Sequence, residues 1–203
     1  GGVDPHVHLD LPMFDTVSSD DHYTGHKAAA FGGTTTAMDF VVLEDEGFKS
    51  SVDLWMKKAE KAAIDYSFHM NLTHFNEQIA KEIPSLMEMG IQTLKVFTAY
   101  NGRLRIDDGS IFKTLRIAKD NGMLVMAHCE NGDVIETLTQ QALAEGHTEP
   151  AWHAWTRPSW GAIDATLRVA GMAADADASV YIVHMNAGGE VDMLRYARDR
   201  GVK

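Results

Sequence analysis

The chain of 203 residues carries 18 lysines and arginines against 29 aspartates and glutamates, a net charge of −11 that would repel nucleic acid and anionic membrane surfaces alike. Hydrophobic residues at 45% and charged residues at 23% are ordinary for a globular chain, and no apolar run approaches the ~18 residues that span a bilayer. The single cysteine, Cys129, excludes an internal disulfide framework and fits a reducing, cytoplasmic setting, and it leaves any metal to imidazole, carboxylate or something less usual.

In chain order, six β-branched or apolar runs read as strands: Gly2–Leu9, Thr34–Val42, Tyr66–Thr73, Thr93–Ala99, Met123–Glu130 and Ser179–Asn186. The first ends in His6 and His8, which a period of two puts on one face. Two imidazoles so placed either converge on a metal or are unrelated residues at a strand end. Between the runs lie helical segments. Asp20–Phe31 stops at Gly32-Gly33, Ser51–Ile64 follows a cap region at Ser50-Ser51, and Asn76–Met89 stops at Gly90. Ser110–Asn121, Ile163–Ala174 and Val191–Arg200 repeat the pattern. The stretch Gln140–Trp160, rich in His, Trp, Pro and Thr, reads as a long loop that either shapes a pocket or packs on its own tryptophans.

Strand–helix repeated every 30 or so residues implies a parallel sheet, since parallel strands need crossovers. No G-x-G-x-x-G turn follows the first strand, which disfavours a dinucleotide-binding open sheet. Chemistry gathered at successive strand ends favours a (β/α)8 barrel of the TIM type. Six strands do not close such a barrel, so residues 1–203 are expected to be one partial barrel domain, with the last two βα units lacking.

His128 closes the fifth run and His184 the sixth. Lys95 sits inside the fourth, where a parallel strand has little room for a charge. A buried ammonium tends to lose its proton, and a neutral amine can take up carbon dioxide as a carbamate able to bridge two metals. The alternative is a lysine snorkelling outward. His22 and His26 read as surface residues of a helix. His69 reads as lining the barrel floor, and Asp39 as either a cap or a group orienting the site. Cys129 reads as small and buried, not as a nucleophile.

Together these residues resemble the amidohydrolase pattern, and most closely its D-hydantoinase/dihydropyrimidinase branch. The resemblance is carried by Asp4-Pro5-His6-Val7-His8-Leu9-Asp10, by Gly32-Gly33-Thr34-Thr35-Thr36 with Asp39-Phe40, by Leu94-Lys95-Val96-Phe97-Thr98-Ala99-Tyr100, and by His128-Cys129-Glu130-Asn131-Gly132-Asp133. Thr156-Arg157-Pro158 and Tyr181-Ile182-Val183-His184 add to it. The resemblance implies a metal-assisted hydrolysis of a cyclic amide, a hydantoin or dihydropyrimidine, to an N-carbamoyl amino acid. It implies two divalent metals, zinc first, with His6 and His8 on one, His128 and His184 on the other, and the Lys95 carbamate bridging. Tyr100 would donate to the oxyanion. It also implies a homo-oligomer, commonly a tetramer. The family's remaining metal ligand, an aspartate after the eighth strand, and its β-sandwich are expected outside this range. Allantoinase- or dihydroorotase-like activity is an alternative, although dihydroorotase usually has Arg where Leu9 stands. So are a non-catalytic relative and an inert fragment.

Overall fold

The computed structural model describes residues 1–13 and 15–203. They form two compact units, Gly1–Asn71 with Leu86–Ile91, and Leu72–Ser85 with Gln92–Lys203.

In the first unit, β1 (Gly2–Asp4) leads to a small antiparallel pair, β2 (Pro12–Met13) and β3 (Thr16–Val17), which the sequence did not signal. Then come α1 (His22–Phe31), β4 (Thr34–Val42), α2 (Phe48–Lys58) and β5 (Asp65–Asn71). β4 pairs in parallel with β1 and with β5, as βαβ connections require. β1 is shorter than its apolar run. It ends at Asp4, before Pro5, which has no N–H to extend a ladder. His6 and His8 therefore lie beyond the strand, not within it. β4 fills its whole run, and Phe40 and Val41 in it are fully buried. α2 begins two residues before the expected cap region. Gly47 precedes it with φ 92°, and Ser51 is buried inside the helix, donating to Gly47 O at 2.8 Å and accepting from Glu44 N at 2.9 Å.

The second unit contains α3 (Glu77–Glu82), β6 (Thr93–Phe97), α4 (Asp108–Asp120), β7 (Leu124–His128), α5 (Gly132–Ala144), α6 (Ala151–Trp155), α7 (Ser159–Asp175), β8 (Val180–Ile182) and α8 (Gly188–Arg198). β7 is the central strand, parallel to β6 and to β8. Its core unites Leu94 and Val96 from β6, Ile111 and Leu115 from α4, Val125 from β7 and Val169 from α7, all fully buried. α3 is shorter than expected, because Pro84 breaks the helical ladder and the chain continues as a 3-10 helix, Ile83–Met87. Gln140–Trp160 is not one loop: α5 occupies its start and α6 its middle. α5 opens on Gly132 for a steric reason. A Cβ there would lie 2.5 Å from Asn101 Oδ1 and 2.9 Å from Ala99 Cα.

Among the described residues the main strands are parallel and alternate with helices, the α/β class expected from sequence. No helix of the described residues is long and apolar enough to cross a membrane.

Candidate active site

In the first unit, Pro5 redirects the chain at the C-terminal end of β1. The His6 amide donates to Asp4 Oδ1 at 3.1 Å, and the His6 and His8 rings meet edge-on with centroids 5.2 Å apart. Both rest on the buried ring of Phe40, at 4.5 and 4.8 Å. His69 packs on the same ring at 4.7 Å and bonds Pro5 O through Nε2 at 2.9 Å. Beyond His8, Asp39 Oδ1 accepts from the amides of Leu9 at 3.4 Å and of Phe40 at 2.7 Å, so Asp39, inside β4, ties that strand to the segment carrying the histidines.

His22 and His26 are not on the surface. Both are almost wholly buried on the inner face of α1, while Tyr23 and Phe31 face outward. His22 Nε2 lies 3.4 Å from Asp39 Oδ2, and His26 Nδ1 accepts from Ala63 N at 3.3 Å. Burial first, and then neighbouring His22, lowers the His26 pKa. The sequence misleads here because the apolar residues of α1 occupy the face turned to water.

In the second unit, Lys95 is 1% exposed, so it does not snorkel. Burial brings its pKa down to about 7, and Nζ lies 5.0 Å from the centre of the Phe97 ring. His128 is the last residue of β7, opposite Phe97 in the parallel register. His184 follows β8 by two residues with φ 34°, and Tyr100 follows β6 by three with φ 67°. Such left-handed backbone is uncommon outside glycine, and at two candidate site residues it marks segments held by their surroundings.

His128 Nδ1 and His184 Nε2 face each other at 3.2 Å. Two nitrogens each about 2.0–2.1 Å from one tetrahedral ion would be roughly 3.3–3.4 Å apart, so this spacing fits a shared metal. Desolvation, then the neighbouring His128 and Lys95, lowers the His184 pKa to about 4, leaving a neutral imidazole able to ligate. The Tyr100 ring lies 5.1 Å from that of His128. Burial raises its phenol pKa, keeping the hydroxyl a donor at neutral pH. These three residues, with Glu130, His153 and Arg157, line a cavity of about 180 Å³. Cys129 is buried and its thiol is pushed up to about 12, chiefly by desolvation, which suits the inert role expected of it.

Among the described residues no three His, Cys, Asp or Glu side chains form a metal-binding group. The donors come in pairs, His6 with His8 and His128 with His184, and Lys95 is of a type that ligates only once carboxylated. Glu130 and Arg157, which also line the cavity, carry no role of their own in the sequence reading. Glu130 Oε2 lies 2.7 Å from His128 Nε2, and Arg157 Nε lies 3.8 Å from Glu130 Oε1. The available signal was an acidic residue two places beyond a strand-end histidine.

In each unit parallel strands alternate with helices, the imidazoles and the phenol stand at or just beyond strand C-terminal ends, and Lys95 lies within β6, which is the fold class of a partial (β/α)8 barrel. No protein-family model matches the chain. All of it aligns with the D-hydantoinase of Geobacillus stearothermophilus at 43% identity, and with the dihydropyrimidinase of Arabidopsis thaliana at 33%. The crystal structure of dihydropyrimidinase from Brevibacillus agri NCHU1002 superimposes on the whole chain with a TM-score of 0.97 at 46% identity, over 44% of that structure's chain. A D-hydantoinase from Bacillus sp. AR9 does so with a TM-score of 0.96 at 45% identity, over 45% of its chain. The chain spans 44% of the Geobacillus relative and 38% of the Arabidopsis one. Over its whole length the chain is thus similar to proteins named D-hydantoinase and dihydropyrimidinase, the resemblance its motifs suggested.

Proposed function

We propose that the intact protein is a metal-dependent hydrolase that opens a hydantoin or dihydropyrimidine ring to an N-carbamoyl amino acid. The observation that carries this reading is the pair His128 Nδ1 and His184 Nε2, 3.2 Å apart in a polar cavity that Tyr100 also lines. Relatives named D-hydantoinase and dihydropyrimidinase support it.

In this reading residues 1–203 belong to one barrel domain. His128 and His184 would hold one divalent ion, His6 and His8 would hold a second, and Lys95 would ligate as its carbamate. A buried amine with a pKa near 7 is substantially uncharged at neutral pH, which is what reaction with carbon dioxide requires. Imidazole and carboxylate-like donors suit zinc. The bound metal supplies a Lewis acid for the ring carbonyl and an acidified water. Tyr100, protonated and at the cavity wall, donates to the carbonyl oxygen as charge develops on it. Water oxygen adds to the carbonyl carbon, the ring C–N bond breaks, and a proton passes to the leaving nitrogen. The reading carries with it a cytoplasmic homo-oligomer, a tetramer by family resemblance.

The test is turnover of hydantoin and dihydrouracil by the intact protein, before and after chelation. The expected result is ring opening of at least one substrate, lost on chelation and restored by zinc. Undiminished turnover in the chelated protein, or no turnover of either ring with metal bound, would contradict it.

A further inference from the structure

We propose that Glu130 is a positioning residue that fixes the proton of His128 on Nε2, so that Nδ1 presents its lone pair beside His184 Nε2. The consequence for metal binding rests on the function proposed above, whereas the tautomer itself follows from the hydrogen bonding of this chain.

Glu130 Oε2 lies 2.7 Å from His128 Nε2. A carboxylate only accepts, so the hydrogen in that contact belongs to the imidazole. A neutral imidazole has one such hydrogen, and with it on Nε2 the other nitrogen is an acceptor. That nitrogen, Nδ1, is the atom 3.2 Å from His184 Nε2. The ring is thus addressed at both ends, with a carboxylate on one side and the second imidazole on the other.

Glu130 is held at three points. Its amide donates to Thr98 Oγ1 at 2.9 Å, and the Thr98 hydroxyl donates to Glu130 O at 2.7 Å. Thr98 is buried at the end of β6, so the segment after β7 is fastened to the neighbouring strand. Arg157 lies 3.8 Å from Oε1, the carboxylate oxygen that His128 does not use. A carboxylate behind a ligating imidazole sets its tautomer and orientation and raises its basicity, and loss of such a partner typically weakens metal binding about 10–100-fold.

The test uses the intact protein labelled with 15N-histidine. Nitrogen chemical shifts of the metal-free protein report which ring nitrogen of His128 is protonated, with the signal assigned by its loss in His128→Gln. The expected wild-type result is protonated Nε2 and unprotonated Nδ1. Glu130→Ala should populate both tautomers and weaken zinc binding in chelator competition by about 10–100-fold. Glu130→Gln, whose amide oxygen still accepts from Nε2–H, should retain the wild-type tautomer and most of the affinity. A His128 protonated on Nδ1 in the wild type, or wild-type tautomer and affinity in Glu130→Ala, would overturn the proposal. Should Glu130→Ala not fold, the wild-type tautomer and Glu130→Gln still decide the question. A wild-type protein that binds no zinc would remove the metal reading while leaving the tautomer result to judge Glu130.

Discussion

Tyr100 and His184 both pay for their positions with left-handed backbone, at φ 67° and 34°. The Tyr100 carbonyl accepts from the amides of Arg103, Leu104 and Arg105, which wraps the chain into the turn that stabilises this conformation. If the phenol is the oxyanion donor, Tyr100→Phe in the intact, metal-loaded protein should lower kcat by about 100-fold with little change in fold. An unchanged kcat would remove Tyr100 from the mechanism. At this scale the sequence is informative where a residue violates its surroundings: Lys95 inside an apolar strand and His128 at the end of one stood out. It is uninformative where a polar residue is buried among polar partners. His22 meets Asp39 from inside a helix whose alanines point outward, and no periodicity signals that. Glu130 escaped for a related reason, because its role depends on Thr98 and Arg157, distant in sequence.

All the main strands but β4 are shorter than their apolar runs, and the difference matters to the site. β1 ends at Asp4 and β8 at Ile182, so His6, His8 and His184 all sit on the segments that leave strands. The run Thr34–Val42 was legible to the residue because both of its neighbours are parallel strands and it buries Ala37, Phe40 and Val41. α5 was not, because its start is set by the close approach of Gly132 to Ala99 and not by an apolar stripe. Two element junctions carry predictions. Glu190, buried in the first turn of α8, accepts from the amides of Asn186 and Ala187 at 3.0 and 2.9 Å and from Thr166 Oγ1 at 3.0 Å. It fastens the segment that carries His184, and Glu190→Ala, which strands three donors, should cost about 2–3 kcal/mol in urea unfolding. An unchanged midpoint would mean that water replaces the carboxylate. Asp177, which turns the chain after α7 with φ 50°, is held to a pKa of about 2 by hydrogen bonds from Lys203 and then Lys119. Because the folded pKa lies below the ordinary carboxylate value, its contribution is complete above about pH 4 and is lost as pH falls toward 2. Wild type should therefore lose more stability over that interval than Asp177→Asn. The difference should shrink in high salt, since the pair is exposed. Identical pH profiles would rule the contribution out.

At the scale of the whole molecule, the α/β class and its parallel strands were legible because apolar runs alternate with helical segments, three of them stopped by glycine at Gly32, Gly90 and Gly122. The division into two compact units was not, since it depends on which helices pack on which strands. The site's partners were legible as residue types, and their pairing was not. Sequence placed four candidate histidine ligands at strand ends and a fifth ligand, Lys95, inside a strand. The fold brings His128 to His184 and His6 to His8, and gives Lys95 the burial that a carbamate needs. The central claim is that these five residues build a binuclear centre, and it is tested most directly by counting metal in the intact protein. The account predicts about two zinc ions per chain in the wild type and a clear loss of bound zinc in Lys95→Ala and in His184→Ala. Full zinc occupancy in both variants, or none in a folded wild type supplied with zinc and bicarbonate, would contradict it.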